Sequence, residues 1–171
     1  MKKSQLTTNQ FLPYYSLYVN LVGDIHIEKA LTDGMLKTVE FFEGIPSDKA
    51  SFAYEDGKWT SKEILLHLID TERVFSYRAL SISRSSVTNL PSFDQDEFVL
   101  NSKANDRDMD SLIKEYIATR TATIYFFSTI TIKTQAKVGR ASGGPLSAGA
   151  AGFIICGHEI HHCNVISERY L

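Results

Sequence analysis

Apolar residues return every three or four positions through most of this chain, and the stretches that break the rhythm are short, polar and rich in glycine or proline. A period near 3.6 residues is that of a helix with one buried face. It predicts a short helix near Tyr14–Leu21 and a longer one from about Ile25 to Phe42, ended by Gly44 and Pro46. The clearest start is "WTSKEI". Thr60 as N-cap and Glu63 three residues on form a capping box, and Trp59 and Ile64 flank it as a hydrophobic staple. That helix is expected over Ser61–Ser83. The turn-rich "SSVTNLPSFDQDEF" follows, with a short helix after Asp94, and a third long helix spans about Asp108–Ser128. "KVGRASGGPLSAGAAG" reads as a glycine-rich loop, and a last helix runs from about Ser147 to Arg169. No stretch reads as a sheet; "STITI" is short and isolated. Four long helices of about 20 residues, joined by connections of about a dozen, predict an all-α fold, a four-helix bundle. Phe75, Tyr77, Tyr125 and Phe126, at helical spacing, are expected in its core.

Composition narrows this picture. The 171 residues suit one domain, 1–171, large enough to bury a core without staples. A formal net charge of −2 offers no basic field for nucleic acid and no polybasic strip for a membrane. No apolar run approaches the ~18 residues of a membrane span. The N-terminal apolar stretch is broken by Pro13, Ser16 and Asn20 and has no small-residue cleavage site, which argues against a secretory signal. Cys156 and Cys163 are seven apart in one helix, about 10 Å of rise and too far for a disulfide. Reduced thiols in a cytoplasmic protein are the expectation.

The chemistry concentrates in "GHEIHHCNVI", where His158, Glu159 and His162 spell H-E-x-x-H. At ~100° per residue, His162 lies about 40° from His158, on a stripe shared with Ala151, Ile155 and Val165. That stripe should face the bundle interior, with His161 towards its edge. Histidines four apart on a helix can close on one metal. A peptidase would need a third ligand soon afterwards, but no histidine follows His162, and Glu168 lies on another face. The better partner is His67, 91 residues upstream and on the flank of the core face of its own helix. His26, at the start of a helix, is read as a surface residue. Taken singly, His67 would more often be a hydrogen-bonded core residue.

Other groups divide between chemistry and architecture. Asp70, three residues after His67, either accepts from its ring or is an exposed helix carboxylate. Glu159 sits about 80° from the mid-line of the His158/His162 pair, so it either supports the site from behind or lies on the surface. Asp94 and Asp96 either reach over a metal mouth or cap the next short helix. Arg78, three turns along the His67 face, either binds an anionic substrate or pairs with a glutamate. Glu63 is assigned to the capping box. The glycine-rich stretch lacks the Lys-Ser/Thr ending of a phosphate loop.

Three blocks of the chain, "GKWTSKEILLHLIDTERVFSYRALSISR", "LPSFDQDEFV" and "GHEIHHCNVISERYL", resemble the DinB superfamily in the right order, from about residue 15 to the end. The resemblance implies an up-up-down-down-like four-helix bundle with one divalent metal, held by His67, His158 and His162. It also implies a homodimer. The superfamily includes thiol-dependent S-transferases, a maleylpyruvate isomerase and metal-dependent hydrolases. Three neutral imidazoles suit zinc or nickel and leave an open position for water or a thiol. The first gives hydrolysis and the second S-transfer from a low-molecular-weight thiol, on a small-molecule substrate in either case. The rival is a non-catalytic bundle in which the ion only ties helices together.

Overall fold

The computed structural model describes residues 1–86 and 89–171. Val87 and Thr88, within the turn-rich connection, lie outside the described residues. The helices are α1 (Ser16–Val19), α2 (Ile27–Glu43), α3 (Ser61–Arg84), α4 (Gln95–Asn101), α5 (Met109–Thr129), α6 (Ile132–Gln135) and α7 (Ala148–Arg169). The long elements stand where the apolar rhythm placed them, within a residue or two. The long helices α2, α3, α5 and α7 form a bundle. α2 packs on α5 and α7, and α3 packs on the same two. The successive helices α2 and α3 therefore occupy opposite corners, and α3 and α7 share a long seam.

The start of α3 shows why the pattern was legible. The Glu63 N–H donates to Thr60 Oγ1 at 3.2 Å, and the Thr60 N–H donates back to Glu63 Oε2 at 2.7 Å. Two otherwise unpaired donors of the first turn are thereby satisfied. The Thr60 hydroxyl also bonds Asn105 Oδ1 at 2.8 Å, tying the cap to the segment before α5. Thr60→Ala is expected to cost about 1 kcal/mol. Thermal melts should show a fall of roughly 2–4 °C for a chain of this size.

The glycine-rich stretch is folded, not a loop. It holds β2 (Val138–Ala141) and β3 (Gly144–Ser147), antiparallel with Val138 opposite Ser147, and β1 (Asn89–Leu90) joins β2 in parallel. Gly, Pro and Ala carry little strand propensity, so the alternation that marks a strand is absent. The pairing is set by the turn instead. Ser142 (φ 51°) and Gly143 (φ 80°) are both left-handed, as a two-residue type I′ hairpin requires. Ser147 then caps α7, its hydroxyl accepting from the Ala150 N–H at 2.9 Å.

The core has two apolar clusters. One gathers Val19, Ile27, Leu31, Phe75, Phe127, Phe153 and Ile154; the other gathers Phe42, Leu65, Ile69, Leu112, Tyr116 and Ile166. Along α2, α3, α5 and α7 they meet at a charged layer formed by Arg120, Glu72 and Glu159, each no more than 2% exposed. Phe75 is in the core as expected. Tyr77 and Tyr125 are not: they are 59% and 70% exposed. Helical spacing alone does not separate a buried flank from a solvated one.

Candidate metal centre

His67, in the second turn of α3, and His158 and His162, one turn apart on α7, meet across the α3–α7 seam. His67 Nε2 is 3.1 Å from His158 Nε2, and His162 Nε2 is 3.0 Å from the same atom. One ligand atom from each histidine lies within 4.8 Å of the others. Among the described residues no fourth His, Cys, Asp or Glu joins this group.

The donor set fits a divalent ion. His158 Nε2 has one proton or one lone pair, so it serves one neighbouring ring nitrogen well and not two. A cation between the three satisfies all of them. Two nitrogens each about 2.05 Å from a common ion are separated by roughly 2.9 Å at a right angle and 3.3 Å at the tetrahedral angle. The observed separations of 3.0 and 3.1 Å fall in that interval. Protonation is also disfavoured. Burial pushes His67 down to about 4. Burial, with the neighbouring His67 and His161 rings, pushes His162 down to about 3. His158 is held well below the usual range by burial and by His162 and His67. Neutral imidazole is the form a metal takes.

The surrounding side chains fix the rings. Thr71 Oγ1 lies 3.4 Å from His67 Nδ1, so an Nδ1–H donated to it leaves Nε2 with its lone pair. Trp59 lies against the His67 ring with centroids 4.7 Å apart, and its carbonyl accepts from the Tyr170 hydroxyl at 2.6 Å. Tyr18 meets the His158 ring edge-on at 5.0 Å. That contact depends on Gly157, since a Cβ there would run into the Tyr18 carbonyl.

Asp70 is not beside His67. It pairs with Arg73 at 3.2 Å, and Arg73 continues to Glu115 at 2.7 Å, in a network at the surface. Asp70 turns towards Arg73, half-buried, with burial raising its pKa and Arg73 opposing the rise, and Thr71 takes the inward place. Glu159 is buried, not on the surface, and it supports the seam from behind. Its Oε2 accepts from Arg120 Nη2 at 2.7 Å and from the Tyr116 hydroxyl at 2.5 Å. Burial raises its pKa while Arg120 opposes the rise. Asp94 caps α4, accepting from the Asp96 and Glu97 N–H groups at 2.9 and 3.1 Å, and Asp96 is exposed. His26 is exposed. His161 is half-buried with its ring facing Tyr18 at 5.4 Å and stays outside the three-nitrogen group. Arg78 is buried and among the described residues has no glutamate partner; its Nη2 donates to the Pro91 carbonyl at 2.7 Å and to Ser142 Oγ at 2.9 Å. Cys156 and Cys163 are free thiols.

Thr71, Trp59 and the Arg120–Glu72–Glu159–Tyr116 layer were not expected at the site from the sequence. A signal for the layer exists. Glu72 falls three residues from both Ile69 and Phe75, and Arg120 four from both Tyr116 and Ile124, so each interrupts an apolar stripe.

A cavity of about 170 Å³ ends on His158, walled by Tyr15, Tyr18, Phe75, Phe93 and Ser142. A larger one, about 380 Å³, lies between α2 and α7 and is lined by Phe41, Cys156 and Cys163 but by none of the three histidines. Of these two, the smaller one touches the cluster, at His158.

The family model described as the DinB superfamily matches residues 31–166. The chain belongs to the DinB superfamily. Among solved structures, YfiT from Bacillus subtilis, described as a probable metal-dependent hydrolase with an unusual four-helix bundle topology, shares the fold. Its TM-score is 0.70 at 13% identity, over 95% of this chain and 90% of that one. No curated protein matches the chain significantly. Within this DinB-superfamily protein, the described residues include no helix long and apolar enough to cross a membrane.

Proposed function

We propose that this DinB-superfamily protein is a cytoplasmic metal-dependent enzyme, a hydrolase or thiol S-transferase, acting on a small molecule. His67, His158 and His162 would hold one divalent ion, zinc or nickel. One observation carries the reading: three neutral imidazole nitrogens converge, a cavity ends on one of their rings, His158, and among the described residues no fourth His, Cys, Asp or Glu closes the set. Structural zinc sites take four protein ligands, whereas catalytic ones keep a position open. The description of YfiT favours the hydrolase arm.

When bound, such an ion supplies a Lewis acid that makes an oxygen or sulfur nucleophile available at neutral pH. The chain's own residues do the rest. Thr71 holds the His67 tautomer by accepting from Nδ1. Trp59 and Tyr18 pack on the His67 and His158 rings, which limits their rotation and excludes water from those faces. Phe75 and Phe93 give the cavity an apolar wall against which a small substrate can be oriented.

The test is turnover by zinc- or nickel-loaded protein, with chelated protein as control, on ester and amide substrates and on a low-molecular-weight thiol with an electrophile. Metal-dependent turnover of one set is expected and assigns the reaction. Protein that holds its metal and turns over neither set would be a non-catalytic bundle.

A further inference from the structure

Two arginines of this protein are almost wholly buried, and they are treated differently. Arg120, 1% exposed, lies between two carboxylates. Arg78, 2% exposed, has no carboxylate partner among the described residues. Withdrawing a guanidinium from water costs several kcal/mol. At Arg78 that cost is offset only by neutral groups: the Pro91 carbonyl, Ser142 Oγ, the Tyr15 hydroxyl and the faces of Phe75 and Phe93, 5.0 and 5.6 Å away.

Tyr15, Phe75, Phe93 and Ser142 are also walls of the cavity that ends on His158. The uncompensated charge therefore stands directly behind that cavity. The lining offers hydroxyls and the Gln95 amide but no acidic side chain. A hydroxyl that accepts from Arg78, as Ser142 does, still has its own proton to donate. The hairpin turn that holds Ser142 in the left-handed region, at φ 51°, also fixes where its hydroxyl meets the guanidinium. Positive charge, spare hydroxyl donors and no carboxylate make a receptor for an anion. The aromatic walls and the volume of about 170 Å³ suit one small ring, since an apolar cavity of roughly 150 Å³ holds benzene.

We infer that the cavity takes a small aromatic carboxylate, its ring against Phe75 and Phe93 and its charge met by Arg78 through Tyr15 and Ser142. This names the substrate class for the proposed metal-dependent site and rests on that reading for its catalytic meaning, though not for binding.

The test compares benzoate with its neutral isostere benzamide, by calorimetric or saturation-transfer titration of wild type and of Arg78→Gln. Glutamine removes the charge and keeps a polar amide, though one too short to reach the Pro91 carbonyl and Ser142 Oγ that Nη2 meets. Metal-free wild type is expected to prefer benzoate at least tenfold, and Arg78→Gln to bind the two alike. Equal binding of both by wild type, or a preference that survives in Arg78→Gln, overturns the inference. Should the variant fail to fold, the Arg78 Nε–H resonance of wild type decides: a shift with benzoate and not with benzamide supports the assignment, and its absence overturns it. A preference that appears only after zinc loading belongs to the ion and also overturns Arg78's role. A protein that binds no zinc yet keeps the Arg78-dependent preference sinks the metal reading and leaves this one standing.

Discussion

Arg120→Leu is expected to destabilise the protein by roughly 3–5 kcal/mol, the cost of leaving buried charges without their partner. The donors of Arg120 are fully engaged. Nε meets Glu72 Oε1 and Oε2 at 2.9 and 3.0 Å, Nη1 meets the Leu31 carbonyl and Glu159 Oε1 at 3.2 Å, and Nη2 meets Glu72 Oε2 at 2.9 Å and Glu159 Oε2 at 2.7 Å. Burial opposes the charge, but the two carboxylates hold the guanidinium pKa well above its ordinary value. With arginine gone, two carboxylates 2% exposed must protonate or drag water inwards. Against a total stability of about 5–15 kcal/mol the loss is large. At roughly 2–4 °C per kcal/mol, the melting temperature should drop by about 6–20 °C. A melt within a degree or two of wild type would mean the layer contributes little. The triple replacement Arg120→Leu, Glu72→Gln, Glu159→Gln should recover part of the loss, because the penalty belongs to the stranded charges and not to the missing arginine. The layer also bears on the histidines: Glu159 follows His158 directly, so what pins Glu159 to α5 sets the rotation of α7 against α3.

How much of this was legible depended on whether the signal was local. The capping box at Thr60 and Glu63 is written in four consecutive residues, and the start of α3 followed from it. The register of His158 and His162 needed only the helix period, and the period is reliable over one turn. The β2–β3 hairpin was invisible because its pairing comes from the left-handed Ser142–Gly143 turn and not from alternating apolar residues. Asp70 and Thr71 are neighbours on the same helix. The wheel cannot say which turns to the His67 ring; the choice was made by Arg73, which draws the carboxylate outward. Glu159 was expected off the mid-line of the histidine pair, and the arginine that meets it comes from α5, 39 residues earlier. Tyr77 and Tyr125 show the same limit from the other side: spacing predicts a seam, and only the packed neighbour decides which edge of it is wet.

Removing any one imidazole should remove most of the bound ion. Wild-type protein is expected to hold one zinc or nickel per chain, and His67→Ala, His158→Ala and His162→Ala far less, because two imidazoles alone no longer enclose a cation. The loss should also appear in stability. An ion present at a thousand times its dissociation constant adds about 4.1 kcal/mol to the folded state. That corresponds to a rise in melting temperature of roughly 8–16 °C for a chain of this size. The rise should be seen on adding metal to chelated wild type and be nearly absent in the three variants. Trp59, the single tryptophan of the chain and 4.7 Å from the His67 ring, provides an independent fluorescence reading of the same event. Two further variants separate coordination from general damage. His161→Ala should keep the metal, since its ring lies outside the group. Thr71→Val removes the acceptor beside His67 Nδ1 and should weaken binding by about 10–100-fold without abolishing it. Equal metal content in wild type and in all three alanine variants would leave the convergence of these nitrogens without a chemical purpose, because no hydrogen-bonding scheme among three neutral rings accounts for it as well as a cation does.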